Sequence, residues 1–205
     1  MKISSKQKKK NRQIIINAAV DIMIDKGFKD ATMRAIAKQA KIGDATIYNY
    51  FPTKDAILFA YYEEKLNASV DKIRKIEKFN EFTLHEQLQT FFETQLELFL
   101  PDREFIALSF KKIFFTLNQN MESLDTIQEL FERIIGDIFE AAVEVNEIPA
   151  QVFQEIIYHL VWDYYVGMVI FWLSDKSDQF SDTSVMIDKT LDLFCSVLKA
   201  GAVNK

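Results

Sequence analysis

Residues 31–58 read ATMRAIAKQAKIGDATIYNYFPTKDAIL. Thr32 is a side-chain acceptor placed to cap a helix. Behind it Met33, Ile36, Ala37 and Ala40 recur at i, i+3, i+4 and i+7, the apolar stripe of a short amphipathic helix. Lys41-Ile42-Gly43 forms a turn. Asp44 to Phe51 predicts a short third helix, which Pro52 stops. Thr53 can cap a fourth, running from Lys54 to about Ile76. Two short helices joined by a tight turn, with a supporting helix before them, make a helix-turn-helix unit.

The second short helix has two distinct sides. At about 100° per residue, Phe51 and Tyr50 fall within about 60° of Ile47 and face a core. Ala45, Thr46, Tyr48 and Asn49 fall opposite, with Asp44 at the edge. Small, hydroxyl and amide groups suit a major groove: Thr and Tyr bond phosphates, Asn pairs with adenine, and an Ala methyl touches a thymine methyl. Arg34 and Lys38 lie outside the apolar stripe of their helix and form a cationic ridge. Periodicity alone is equally compatible with a helical subdomain whose polar faces are merely solvated.

Upstream, Ile15, Ala18, Ala19 and Ile22 give helical spacing from about Lys8 to Lys26, and Gly27 stands where a helix stops. Residues 1–7 read as a loose basic arm. Residues 1–55 hold 12 Lys/Arg against 5 Asp/Glu, while residues 56–205 hold 13 against 25, so a net charge of −5 conceals a basic head on an acidic body. Such asymmetry suits a polyanion-binding head, although a disordered basic tail gives the same count.

The rest of the 205 residues also reads as helix. Five Gly and three Pro leave few turns and argue against many short strands. Thr83 and Glu86 match a capping box before an apolar run to Leu100, and Pro101 ends that run. Further helices are expected over 103–117, 122–146, from Pro149 as a first-turn residue to Leu173, and 182–200. Two His and one Cys leave no Cys/His zinc set, and no catalytic motif or Gly-rich phosphate loop occurs. The reading therefore assigns no catalytic residue, no metal and no cofactor. No apolar run approaches the ~18 residues of a spanning helix. A cytoplasmic protein with no membrane partner is expected.

The run quoted above resembles the signature of the TetR (tetracycline-repressor) family, most specifically in Thr46-Ile47-Tyr48-Asn49-Tyr50-Phe51, Lys54-Asp55 and Ile57-Leu58, with Gly27-Phe28 and Ile36-Ala37 spaced correctly upstream. The resemblance covers residues 10–60. It implies an all-α protein. An N-terminal three-helix, helix-turn-helix DNA-binding head (1–52, with 1–7 the arm) would be joined by a long helix to a helical ligand-binding and dimerisation body (53–205). The family's DNA-contacting positions fall on Arg34, Ala45, Thr46, Tyr48, Asn49, Tyr50 and Lys54, with Thr32 a further candidate. Lys41 replaces the usual turn glycine, at a cost of about 1 kcal/mol if its φ is positive. Gly43 replaces a common capping Ser.

The resemblance further implies a small apolar ligand between the fourth and seventh helices and a homodimer built from the last two long helices. Of 18 Phe, 15 lie after residue 60; Phe92, Phe99, Phe110, Phe114 and Phe131 are the candidate ligand wall, against the plain alternative of core. Tyr165, Leu191, Phe194 and Leu198 are the candidate dimer residues. Phe153–Trp172 is apolar nearly all round and needs cover on more than one face. The head leaves no volume for a pocket, so the ligand belongs in the body, with the fourth helix as lever. The expected function is a ligand-responsive regulator, most simply a repressor released from a palindromic operator in double-stranded DNA. A helical small-molecule or lipid-binding protein without DNA-binding activity would explain the Phe-rich body but not the groove-facing residues.

Overall fold

The computed structural model describes residues 4–115 and 121–201. Eight α-helices and no strand occur among them: α1 Ser5–Asp30, α2 Met33–Gln39, α3 Lys54–Ile73, α4 Leu84–Phe99, α5 Arg103–Phe115, α6 Met121–Glu144, α7 Gln154–Ser174 and α8 Ser181–Lys199. The all-α expectation therefore holds.

Local chemistry sets most of the boundaries. Gly27 breaks α1 at φ +77°. Thr32 Oγ1 accepts from Ala35 N at the start of α2, and Thr53 Oγ1 accepts from Ala56 N at the start of α3. Thr83 and Glu86 form the capping box of α4. Each such cap satisfies an N–H group that the first helical turn leaves unpaired.

Two helix starts differ from expectation. The basic arm is helical from Ser5, because Ser4 Oγ accepts from Gln7 N and caps α1; residues 1–3 lie outside the described residues. Pro149 does not open α7, which begins at Gln154 behind Phe153, a residue without a side-chain cap bond. A proline tolerates a first helical turn but does not by itself start one.

The chain divides into two compact units. The first comprises Met1–Glu64 and Asp102–Ile127, the second Lys65–Pro101 and Gln128–Lys205. In the first unit, α1 packs on α2 and α5. Its core holds Ile15, Ile16, Ala19, Ile36, Ala37, Ile47 and Phe51. Tyr61 meets Phe105 edge to face with ring centroids 4.8 Å apart, and Tyr62 Oη lies 2.8 Å from Ser109 Oγ.

The second unit packs α4, α7 and α8 together. Phe92 and Phe131 meet Tyr165 at 6.4 and 4.9 Å between centroids, and Phe131 also meets Trp162. Asp175, just past α7, ties the α7–α8 connection: it accepts from Ser177 Oγ at 2.6 Å, Thr183 Oγ1 at 2.5 Å and both backbone N–H groups. Those bonds, the Ser177 hydroxyl first, hold its carboxyl far below the usual carboxylate range. Cys195 is buried, and burial pushes its thiol up to about 11.

By length and composition α7 could cross a membrane, with mean hydropathy 1.4 over its most apolar window. This corrects the reading that no stretch comes near that length. Ile157, Val161, Trp162, Tyr165, Met168, Val169 and Trp172 bury one side of it within the second unit, and Glu155, His159 and Asp163 interrupt it. It is a core helix with an unusually apolar outer face.

Candidate nucleic-acid interface

The first unit displays the residues between α2 and α3. Ala40 closes α2, and Lys41 takes the left-handed turn at φ 54°, so the lysine does occupy the strained position. Ile42 N then bonds back to Ala37 O at 3.0 Å. Gly43 O accepts from Thr46 N and Ile47 N. The expected third helix is a turn at 44–46 followed by a 3₁₀ segment, Ile47–Asn49. So few residues stand between Gly43 and Pro52 that the α-helical nucleus gains little from propagation, while Pro52 blocks extension.

The facing is as the helical angles implied. Ile47 and Phe51 are buried, while Ala45, Tyr48 and Asn49 are exposed and Thr46 half-exposed. Tyr50 is intermediate, its hydroxyl accepting from Asn11 Nδ2 at 2.9 Å. Arg12 lies over the Phe51 ring, 4.6 Å from its centroid, and reaches Glu63 and Glu64 at 3.4 and 3.8 Å. Asn11 and Arg12 thus brace the reading segment from behind. Sequence reasoning counted Arg12 only as one charge in a basic crowd, because nothing local reveals its partners across the chain.

The candidate cations have different surroundings. Arg34 is exposed and its Nε lies 3.0 Å from an Asp44 carboxylate oxygen. Lys54 is only partly exposed: its Nζ donates to Phe28 O at 2.6 Å and Lys29 O at 3.1 Å, 4.5 Å from the Phe28 ring centroid. Lys112 approaches the same ring to 3.9 Å and lies 3.4 Å from Asp55. Thr32 caps α2, so its hydroxyl oxygen is already an acceptor.

Residues 15–61 match the family described as bacterial regulatory proteins, tetR family, and residues 87–205 match the tetracyclin repressor-like, C-terminal domain. The chain belongs to the TetR family. It is therefore a helix-turn-helix, DNA-binding transcriptional regulator. Among curated relatives, the chain is 24% identical over 194 residues to the fatty acid metabolism regulator protein of Bacillus subtilis, covering 93% of this chain and 97% of that one. Among solved structures, it resembles a TetR-family regulator from Syntrophomonas wolfei, with TM-score 0.75, 18% identity and 93% and 97% of the two chains covered. It also resembles the regulator FadR from Bacillus subtilis in complex with stearoyl-CoA, with TM-score 0.68, 21% identity and coverage of 87% and 96%.

Phe92, Phe99 and Phe131 are fully buried in the second unit, whereas Phe110 is buried in the first, 6.3 Å from Tyr62 between centroids. The side chain of Phe114 lies outside the described residues. Adjacent Phe91 and Phe92 are both at 0% exposure, so neither turns from the core.

An open cleft of about 250 Å³ in the first unit is lined by Arg12, Tyr50, Phe51 and Pro52 and, beyond residue 52, by Phe59, Glu63 and Ile127 among others.

Three of the four candidate dimer residues leave no surface for a partner. Tyr165, Leu191 and Leu198 are buried inside the subunit, and Phe194 is half-buried, 6.2 Å from Phe139 between centroids. What the last two helices expose is Ile156, Leu160, Ile170 and Phe171 on α7 and Val185, Leu193 and Val197 on α8. The α7 set falls within an arc of about 100°. Gly167 lies in that arc, and a Cβ there would touch nothing within 4 Å.

Proposed function

We propose that this protein is a cytoplasmic, homodimeric repressor that leaves a palindromic operator when it binds a long-chain acyl thioester such as stearoyl-CoA. The observation that carries the ligand class is the likeness to the fatty acid metabolism regulator over nearly the whole length of both chains, together with the stearoyl-CoA bound to FadR. Phe92, Phe99 and Phe131 are fully buried, so an acyl chain among them requires their packing to open.

The DNA-reading set is Ala45, Thr46, Tyr48 and Asn49 at base edges and phosphates, with Thr32, Arg34, Tyr50 and Lys54 at the backbone. The dimer face is the exposed apolar arc of α7 and α8. Two-fold symmetry of the protein then implies two half-sites about 34–36 Å apart or a multiple of that.

The test is a gel shift on DNA flanking the gene, with stearoyl-CoA, free CoA and stearate as separate additions. Release by stearoyl-CoA alone supports the reading. By linkage, operator DNA must weaken stearoyl-CoA binding by the same factor, typically ~5–150-fold. Equal stearoyl-CoA affinity with and without operator defeats the induction mechanism, and no shift on any flanking DNA defeats the operator assignment.

A further inference from the structure

Gly27 breaks the regular course of α1 at φ +77° and ψ 160°. The residues that follow, Phe28–Asp30, lead directly into the Thr32 cap of α2, so their position decides where α2 starts. Within this turn Ala31 N donates to Gly27 O at 3.2 Å. A short segment beyond a helix break needs contacts from other parts of the chain to hold it still.

Two lysines from distant segments converge on it. Lys54 Nζ donates to Phe28 O and Lys29 O and lies 4.5 Å from the Phe28 ring centroid. Lys112 Nζ, on α5, lies 3.9 Å from the same centroid. It also lies 3.4 Å from Asp55 Oδ1. That oxygen is shielded from water and has no hydrogen-bond partner among the described residues. Phe28, Lys54, Asp55 and Lys112 all belong to the first unit, where α5 packs on α1.

The charges depend on one another. Two ammonium groups that share one ring repel unless an anion offsets them, and Asp55 supplies that anion beside Lys112. A shielded carboxylate oxygen without a donor is tolerated only next to positive charge. Without the Lys112 charge, Asp55 must turn to water or pull the adjacent Lys54 ammonium off its two carbonyls. Either change frees the Phe28 turn, and with it the direction of the one N–H that Lys54 has left.

We propose that Lys112 is a positioning residue for DNA binding: from α5 it holds the Phe28 turn and the Asp55 carboxylate so that Lys54 points its free N–H at a phosphate. This rests on the assignment of Lys54 to the DNA backbone. It extends the DNA-binding machinery beyond the helix-turn-helix to a helix that follows Pro101.

The probe is a duplex of arbitrary sequence, because phosphate contacts do not require the operator. Fluorescence anisotropy of the full chain at several salt concentrations gives the slope of log affinity against log salt, which counts the phosphates neutralised. Lys54→Met should lower that slope by about one. Lys112→Met should lower it nearly as far and weaken binding about fivefold at about 0.15 M salt. The Lys54→Met/Lys112→Met protein should fall no further than Lys54→Met, the non-additivity of residues that act together. Lys112→Arg keeps the charge and the ring contact and should restore the slope. The Lys112 side chain is partly exposed, so these variants should fold. An unchanged slope in Lys112→Met, whatever its melting temperature, leaves Lys112 a purely structural role and overturns the proposal. A slope lowered by about two in the double variant means that Lys112 meets phosphate itself, which overturns it as well. An unchanged slope in Lys54→Met removes Lys54 from the DNA backbone and the proposal with it, and so marks failure of the site rather than of the Lys112 role.

Discussion

Arg34 Nε lies 3.0 Å from the carboxylate of Asp44, joining α2 to the start of the reading segment. Both side chains are well exposed, so the pair contributes little to stability. With the proposed DNA-reading set, its effect should fall on DNA: Asp44 holds the Arg34 guanidinium in one place and would repel a phosphate brought near it. Asp44→Asn should tighten binding to random duplex, narrow the gap between operator and random DNA, and steepen the salt dependence by about one unit. Fluorescence anisotropy at several salt concentrations measures all three. Unchanged random-DNA affinity would show that the pair is already broken at the interface.

Lys54 and Asn49 should fail in different ways. Lys54 spends two donors on Phe28 O and Lys29 O, which leaves one for phosphate. Lys54→Met should lower both the melting temperature and, by about one, the slope of log affinity against log salt. Asn49→Ala should leave the melting temperature alone and relax specificity at one base pair, by ~1–3 kcal/mol. Equal losses on operator and random DNA for Asn49→Ala would remove it from the base-reading set.

The two sides of α7 predict opposite outcomes for one kind of substitution. Leu160→Glu with Leu193→Glu puts charge on the exposed arc and should yield folded monomers by sedimentation. Tyr165→Glu buries an unpaired charge beside Phe92, Phe131 and Trp162 and should prevent folding. A dimeric Leu160→Glu/Leu193→Glu protein would move the interface elsewhere.

Asp175 should make stability pH-dependent in a defined window. Its folded pKa is depressed by Ser177 and Thr183, so it stabilises above its unfolded pKa of about 3.9 and loses that effect as pH falls toward the folded value. Asp175→Asn should therefore melt below the parent at neutral pH, and the difference should shrink below about pH 4. A constant difference down to pH 2.5 would mean the network acts without the charge.

Much of this architecture was legible along the chain because it is local. Thr32, Thr53, Thr83 with Glu86, and Gly27 mark boundaries by bonds and dihedrals within a few residues, and the buried Ile47 and Phe51 follow from helical angle even though the segment is 3₁₀. The start of α7 was missed because Pro149 permits a helix without nucleating one. Tertiary packing decided what periodicity could not. On a helix as apolar all round as α7, no pattern tells the inner face from the outer, so only contacts with Phe92, Phe131 and α8 assign Tyr165 to the core and Leu160 to the surface. Charge patterning likewise showed a basic head but not that Lys54 would turn to backbone carbonyls, that Arg34 would meet Asp44, or that Lys112 would meet Asp55. Each depends on where a distant segment comes to rest, and the sequence alone carries no signal for it.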